Sequence, residues 1–182
     1  MQVYIADCSD LWLEYIRNAA HQIVIFTPFF DDFLLDMFHE AEIDYSDIYL
    51  VTQLDWIDSR YENRKRIDLI RDMLSWGINV EVIDRLHAKI LVVDWEDAFF
   101  GSQNFTRYGT GSVEITTYVN SADDGSEIFD EIRELFLSAK SVFEEDLDRA
   151  IGLYDDETEW ELVEFISGGG IQLPKTLPIK AL

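Results

Sequence analysis

Hydrophobic positions along the chain switch repeatedly between the two-residue period of a strand and the longer period of a helix. Short runs rich in β-branched residues predict strands at residues 3–6, 23–30, 48–52, 78–84, 87–94, 98–102 and 113–119. Strands that alternate with helices are typical of an α/β chain, in which helices cover a sheet. We therefore predict an α/β fold with a mixed β-sheet flanked by helices.

Helices are predicted between these strands, at residues 10–19, 31–42, 60–76 and 124–150. Asp31 or Asp32 can cap the second of them, because a carboxylate at this position accepts a backbone N–H. Ser59 and Glu62 fit a capping box at the start of the third helix, and Gly77 fits its C-terminal stop. Both ends of the third helix are therefore well marked.

Residues after position 151 differ from the rest in composition. An acidic stretch is followed by three consecutive glycines, residues 168–170, and then by a tail with two prolines. Glycines and prolines of this kind disfavour a core element. We predict a domain over residues 1–151 and an acidic C-terminal appendage over residues 152–182, which carries the Gly-rich break and the Pro-containing tail.

Composition and charge exclude some classes of function. With 182 residues, of which 48% are hydrophobic, the chain can bury a core of its own. Because 37 acidic residues stand against 14 basic ones, the formal charge is −23, which excludes a generally basic nucleic-acid-binding surface. The charge is −12 over residues 1–120 (9 basic, 21 acidic) and −11 over the final 62 (5 basic, 16 acidic). The more acidic C-terminal segment could restrict access to a site or recruit a basic protein partner.

Cysteine and histidine are scarce, with one cysteine and three histidines, which excludes a disulfide framework and a zinc finger. We expect no structural metal and no cofactor. The first ten residues lack the basic and apolar regions of a signal peptide. The longest apolar runs are far shorter than the roughly 20 residues needed to cross a bilayer. We therefore expect a cytoplasmic protein without a membrane partner.

Six residues with the spacing His-x-Lys-x4-Asp-x6-Gly-Ser-x-Asn carry the candidate chemistry; they are His87, Lys89, Asp94, Gly101, Ser102 and Asn104. Side chains alternate between the faces of a strand, so His87 and Lys89 should point the same way. A neutral imidazole offers a nucleophilic nitrogen, and an ammonium group stabilises the anionic oxygens of a phosphate as charge builds up. Ser102 and Asn104, also two apart, can donate hydrogen bonds to the same oxygens. The pattern predicts a phosphate site with a nucleophile.

This spacing resembles the signature of the phospholipase D superfamily, and weaker similarity extends over residues 23–119. The resemblance implies that His87 attacks phosphorus and forms a covalent phosphohistidine, with no metal required. Lys89 and Asn104 would bind the non-bridging oxygens, and Ser102 would support them.

Two acidic residues complete the implied site. Glu114 is similar in placement to the family's acidic residue, which holds the other ring nitrogen of the histidine as a triad carboxylate does. Asp94 belongs to the motif but is usually structural in the family, so we rank it below the others as a catalytic residue. Plainer interpretations exist: Lys89 could protect a strand edge, Ser102, Asn104 and Asp94 could be turn residues, and Glu114 could face solvent.

The family's chemistry uses two such motifs across one pocket, because one histidine attacks while the other protonates the leaving oxygen. This chain has one motif, and neither His21 nor His39 is followed by a lysine two positions later. Short members of the family form two-fold homodimers. We therefore predict a homodimer in which His87 of each chain converges on a shared site. The alternative is a heteromer in which a different chain supplies the second motif.

The resemblance implies a metal-independent phosphodiesterase, and because short single-motif members are frequently nucleases, we predict a nuclease for DNA or RNA. A phospholipase-type hydrolase on lipid phosphodiesters is the alternative within the enzyme class, although the sequence shows no basic amphipathic helix or lipidation signal. A non-catalytic acidic binding protein that retains the fold is an alternative of another class. The negative charge counts against nucleic acid, because phosphate binding normally rests on Lys and Arg.

Basic residues are concentrated in the predicted helix at residues 60–76. At 100° per residue, Arg60, Arg64 and Arg71 fall within about 40° of one another. They could form a substrate-binding ridge beside the site. The alternative is a solvated helix face whose arginines pair with surrounding acids.

Overall fold

The computed structural model of the protein describes residues 1–54, 61–122 and 125–155. Its strands are β1 (Gln2–Ile5), β2 (Ile23–Phe26), β3 (Ile48–Thr52), β4 (Asn79–Val82), β5 (Ile90–Val93), β6 (Asp97–Gly101), β7 (Ile115–Asn120) and β8 (Lys140–Ser141). Its helices are α1 (Ser9–Arg17), α2 (Asp32–His39), α3 (Tyr61–Trp76), α4 (Ser126–Leu137) and α5 (Glu144–Asp155). The predicted α/β fold is confirmed.

The strands form one sheet in the order β1, β7, β6, β5, β2, β3, β4, β8. Neighbours in the series β2, β3 and β4 are parallel, and the remaining neighbours are antiparallel. Helices α2 and α3 make the crossovers between the parallel strands, since such strands need a long connection. The sheet is therefore mixed, as predicted.

Two hydrophobic cores cover the two faces of the sheet. The larger core packs one face against α1, α2, α3 and α5, through side chains such as Ile16, Phe38 and Ile70. The smaller core packs the other face against α4, through Phe129 and Ile132. A strand covered on both faces needs apolar residues at every position, which explains why all four residues of β2 are hydrophobic and buried.

Two predicted helix-end signals, Asp31 and Gly77, lie where the sequence placed them. The Asp31 carboxylate accepts the Phe33 N–H at 3.0 Å and caps α2. Gly77 has a φ of 91° and follows the last residue of α3, as expected for a left-handed stop. Ser59 lies outside the described residues, so the capping box stays a prediction.

The long helix predicted at residues 124–150 is wrong, because two helices and a short strand occupy that range. Helix α4 ends at Leu137, and β8 pairs antiparallel with the edge of the sheet, where Lys140 lies opposite Val82. Helix α5 then begins after Phe143, whose N–H donates to the Asp146 carboxylate at 3.0 Å. Pairing with β4, whose Val82 lies 58 residues before Lys140, outweighs the local helical pattern. Helix α5 crosses residue 151, and the division of the chain at that point stays a prediction.

The strands predicted at 23–30 and 87–94 are shorter than expected at one end of the sheet. Strand β2 ends at Phe26, before Pro28, which has no N–H for the ladder. Strand β5 begins only at Ile90, so His87 and Lys89 precede it. The backbone segments after β2 and before β5 are therefore outside the strands, and the second of them carries His87 and Lys89. None of the helices in the described ranges is long and apolar enough to span a membrane.

Candidate active site

Five of the residues predicted for the site lie at one end of the sheet. The register pairs Ile90 of β5 with Phe100 of β6, and Gly101 of β6 with Thr116 of β7. The segments before β5, after β6 and before β7 therefore meet at this end. They carry the predicted residues His87, Lys89, Ser102, Asn104 and Glu114.

His87 and Lys89 lie next to each other, as the sequence predicted. The Lys89 ammonium donates to the His87 carbonyl oxygen at 2.9 Å, and its Nζ lies 3.4 Å from His87 Nδ1. His87 is exposed, whereas only 9% of Lys89 is exposed. An accessible imidazole thus stands beside a largely buried cation, which suits attack on an anionic phosphate group.

Two features of its environment shift the pKa of Lys89 in opposite directions. Burial lowers the pKa of Lys89 because it disfavours the ammonium form, and the nearby Glu114 carboxylate partly offsets this. The net direction is downward from the ordinary value of 10.5. Glu114 therefore helps to keep Lys89 charged.

Glu114 makes no hydrogen bond with the His87 ring in the described part of the chain, although this is the contact that the resemblance implied. Within the described residues, its carboxylate accepts a hydrogen bond from the Ser102 hydroxyl, and none from His87. The Ser102 hydroxyl in turn accepts the Ile115 N–H at 3.1 Å. The sheet order explains this arrangement, because β6 lies between β7 and β5 and brings Ser102 closest to Glu114. Glu114 orients Ser102 and acts on Lys89 through its charge.

Asn104 offers an unused polar group at the site. Its Oδ1 is buried without a hydrogen-bond partner among the described residues. A buried polar atom left unpaired costs about 1–3 kcal/mol, and such costs are concentrated at functional sites. Because Oδ1 can only accept a hydrogen bond, the group that this side chain offers to a phosphate oxygen is its Nδ2 amide, which donates.

Gly101 is required by the close approach of β7. A Cβ at this position would overlap the Ile115 carbonyl oxygen, so any larger residue would push β6 away from β7. The glycine thereby keeps Ser102 within reach of the start of β7, where its N–H donates to Ile115 O at 3.0 Å.

Gln103 is a residue of the site region that sequence reasoning missed. It is 1% exposed, and its amide NH₂ donates to the Asp7 carboxylate at 2.7 Å, to Ser9 Oγ at 3.1 Å and to Gly109 O at 3.2 Å. Its amide oxygen accepts the Cys8 N–H at 3.0 Å. Gln103 occupies the unspecified position between Ser102 and Asn104, so the motif gave no signal for it.

Asp94 lies at the opposite end of β5 from His87. Its carboxylate accepts the backbone N–H groups of Ala20, His21 and Gln22 at 2.7–2.9 Å. Burial alone would raise the pKa of Asp94, but these backbone hydrogen bonds outweigh it and lower the pKa. The residue joins the turn after β5 to the segment before β2, which supports the structural role rather than contact with a substrate.

The predicted arginine ridge is only partly described. Arg60 lies outside the described residues, and Arg64 is exposed on the first turns of α3. Arg71, about 10 Å farther along the helix, donates to the Asp148 carboxylate of α5 at 2.8 Å and lies 4.0 Å from Glu144. For Arg71, these contacts match the alternative in which arginines pair with acids.

The acidic side chains do not converge into a metal centre in the described part of the chain, where no group of three or more His, Cys, Asp or Glu residues is arranged to hold an ion. His21 and His39 are also separate from the site. His21 lies beside Asp94 at the far end of β5, and His39 ends α2, where its Nδ1 is 2.9 Å from Tyr45 Oη. His87 is thus the one imidazole that the described residues place at this end of the sheet.

The chain is similar to known proteins both in sequence family and in fold. A family model described as "Cardiolipin synthase, PLD-like domain" matches residues 12–139, which include the whole motif. A search of the curated proteins finds no significant match.

Solved structures share this fold at low sequence identity. The phospholipase D family member Nuc from Salmonella typhimurium has 17% identity and a TM-score of 0.56, with 73% of this chain and 89% of that chain covered. NucT from Helicobacter pylori has 9% identity and a TM-score of 0.58, with coverage of 78% and 98%. Phosphatidylserine synthase from Haemophilus influenzae Rd KW20 has 11% identity and a TM-score of 0.60, with coverage of 82% and 43%. The predicted resemblance in fold is confirmed.

Proposed function

Since this chain belongs to the family of PLD-like domains described for cardiolipin synthase, we propose that it is a metal-independent phosphodiesterase that cleaves DNA or RNA. The observation that carries the proposal is the placement of His87 and Lys89 beside Ser102 and Asn104 at one end of the sheet. His87 supplies a nucleophile and Lys89 a cation for one phosphate group, and Asn104 supplies an amide donor. Ser102 links this site to Glu114 through its hydroxyl.

The reaction takes place in two displacements at phosphorus. In the first, an imidazole nitrogen of His87 forms a bond to phosphorus, and the bond to the leaving alcohol oxygen breaks while a second imidazole donates a proton to that oxygen. In the second, water attacks phosphorus, the phosphorus–nitrogen bond breaks, and the second imidazole takes the proton from the water. Lys89 and Asn104 bind the non-bridging oxygens in both steps, and Ser102 supports them.

The second imidazole is supplied by another chain in this proposal. Both remaining histidines lie away from the site: the backbone N–H of His21 donates to Asp94 at the other end of β5, and His39 Nδ1 lies 2.9 Å from Tyr45 Oη. A two-fold homodimer brings a second copy of His87 to the same phosphate. A heteromer, in which a different chain supplies this group, is the alternative.

Exposed apolar side chains beside the site support the dimer. Ile5 of β1 lies opposite Ile115 of β7, and these residues are 70% and 55% exposed. Val3 and Val113, at alternate positions of the same two segments, are 57% and 80% exposed. A contiguous apolar patch of this kind is typical of an interface. We assign this β1–β7 patch, which borders Ser102 through Ile115, to contact with the second copy.

A lipid phosphodiester is the second candidate substrate, because an apolar groove lies next to Lys89. The groove has a volume of about 680 Å³ and runs between α4 and the sheet. Its apolar lining consists of Ala88, Ile90, Phe100, Ile128, Ile132 and Leu135. An acyl chain could lie there, although the acidic surface would repel anionic lipids.

The test compares wild type, His87→Ala and the matched control His39→Ala on single-stranded DNA, duplex DNA, RNA and phosphatidylcholine vesicles, each with a chelator present. We expect wild type and His39→Ala to cleave nucleic acid and His87→Ala to lose the activity. Mass spectrometry after a rapid quench should detect a phosphoryl adduct on His87. Turnover of the vesicle lipid alone would support the second candidate. Absence of turnover on every substrate would contradict the proposal and favour a binding protein.

Oligomeric state is a separate measurement. Sedimentation should show a dimer for wild type, and Ile5→Asp with Ile115→Asp should dissociate it and abolish cleavage. A fully active monomer would contradict the shared site.

A further inference from the structure

Phe29 is a large aromatic residue left exposed at the rim of the active site. It is 46% exposed and follows β2 at the end of the sheet that carries the motif. Because Phe26 pairs with Ile90, the antiparallel register continued by one step places Thr27 opposite Lys89. Two further residues put Phe29 on the order of 10 Å from Lys89. The ring is therefore within one or two nucleotides of a phosphate bound by Lys89.

The backbone around Phe29 is held in a fixed position relative to the site. The Thr27 hydroxyl donates to the Phe29 carbonyl oxygen at 2.7 Å. The next residue, Phe30, is 4% exposed and forms a parallel bridge with Phe105, which directly follows Asn104. The bridge holds the backbone next to Phe29 against the segment that carries Asn104. The Thr27 hydrogen bond fixes the backbone that carries the ring.

Arg66 lies over the ring of Phe29. The guanidinium carbon is 5.5 Å from the ring centroid, and Nη1 donates to the Pro28 carbonyl oxygen at 3.1 Å. This geometry places a cation against an aromatic face beside the site.

We propose that Phe29 and Arg66 form a stacking platform for an unpaired base of a single-stranded nucleic acid. Aromatic side chains next to arginine bind single strands because every base has a flat π-face and a neighbouring phosphate. Bases in a duplex are already stacked on each other, so the platform selects single strands. A lipid acyl chain would instead occupy the aliphatic groove beside α4. The inference rests on the proposed function and names its substrate class.

The test measures binding of a single-stranded oligonucleotide that contains a fluorescent base analogue, with His87→Ala present in every variant to prevent cleavage. Phe29→Ala and Phe29→Leu should raise Kd by roughly 5- to 150-fold, whereas Phe29→Trp should bind as tightly as the parent. Phe143→Ala is the matched control, because Phe143 is 51% exposed and precedes α5, away from the site. Its Kd should be unchanged.

An abasic sugar–phosphate oligomer separates base stacking from phosphate binding. Phe29→Ala should leave its Kd unchanged, because this probe offers nothing to stack. Equal Kd values for Phe29→Ala and Phe143→Ala on the base-containing strand would overturn the proposed stacking platform. Binding by Phe29→Leu as tight as by the parent would also overturn it, and so would a parent that does not bind the strand. Failure of the proposed function would appear differently, as wild type that cleaves no nucleic acid.

Discussion

Replacement of Gln103 by leucine would remove the link between the Ser102–Asn104 segment and the start of the chain. The Gln103 side chain contacts Asp7, Cys8, Ser9 and Gly109, and it is buried among them. Leucine has a similar volume and no hydrogen-bonding groups, so the substitution removes the hydrogen bonds while leaving a small cavity at most.

The size of the effect follows from the groups that lose a partner. The Cys8 N–H has no other acceptor among the described residues, and a buried donor left unpaired costs about 1–3 kcal/mol. The lost hydrogen bond to the Asp7 carboxylate is worth about 1.5–3 kcal/mol. The Gly109 carbonyl oxygen still accepts the Ser112 N–H at 3.3 Å, so the loss of its bond to Gln103 adds little to the change in the free energy of unfolding. We expect the free energy of unfolding to fall by about 3–5 kcal/mol.

Urea unfolding followed by circular dichroism measures this change, and Gln2→Leu is the control, because Gln2 is exposed on β1. The control should lie within about 0.5 kcal/mol of wild type. Turnover by folded Gln103→Leu should also show a lower kcat, because Ser102 and Asn104 flank the lost anchor. A change below about 1 kcal/mol, equal to that of Gln2→Leu, would refute the reasoning.

The pH dependence of the same variant provides a second check. Burial raises the pKa of Asp7, but hydrogen bonds from Ser9, Gly111 and Gln103 outweigh it and hold the pKa below 3.8. The contribution of the ionised carboxylate to stability is therefore present above pH 3.8 and is lost as the pH falls through the folded-state pKa. The difference between wild type and Gln103→Leu should shrink in acid. A constant difference across this range would argue against the bond to Asp7.

Three further substitutions test other contacts. Asp94→Ala removes the acceptor of three backbone N–H groups at a residue with a φ of 55°, so the free energy of unfolding should fall by about 2–4 kcal/mol. Its kcat per folded molecule should stay near wild type, and a loss as severe as that of His87→Ala would instead give Asp94 a catalytic role. Glu114→Gln removes the charge that raises the pKa of Lys89, so the alkaline limb of the pH–activity profile should move to lower pH. An unmoved limb would show that Lys89 ionisation does not control this limb. Arg71→Ala breaks an exposed ion pair with Asp148, so unfolding should change by at most about 1 kcal/mol and nucleic-acid affinity should stay constant. Weaker binding by this variant would restore Arg71 to the substrate-binding ridge.

Local sequence signals predicted most of the fold because they concern neighbouring residues. Strand β3 spans the predicted residues 48–52, and the Asp31 cap and the Gly77 stop lie where the side-chain chemistry placed them. The misplaced helix at 124–150 has a different origin. Lys140 and Ser141 form a strand only because the edge of β4 is available, and no local pattern shows which edge that is.

The candidate site was predictable to the extent that its chemistry has a fixed spacing. His87 and Lys89 lie together as the spacing indicated. The contact of Glu114 with Ser102 depends on β6 lying between β5 and β7, which is a property of sheet order. Gln103 was missed for a related reason, because its partners lie 94–96 residues away for Asp7, Cys8 and Ser9.

The pairing of β1 with β7 also determines when the site can form during synthesis. Gln2 lies opposite Tyr118 and Ile5 opposite Ile115, so β1 has to wait for a strand that is synthesised more than 100 residues later. At 5–20 residues per second, the delay is on the order of ten seconds. Throughout that time Asp7 and Ser9 have no Gln103 to bind, and β1 is an unpaired apolar strand. The nascent domain therefore remains inactive, and open to wrong strand pairing, until β7 has been made.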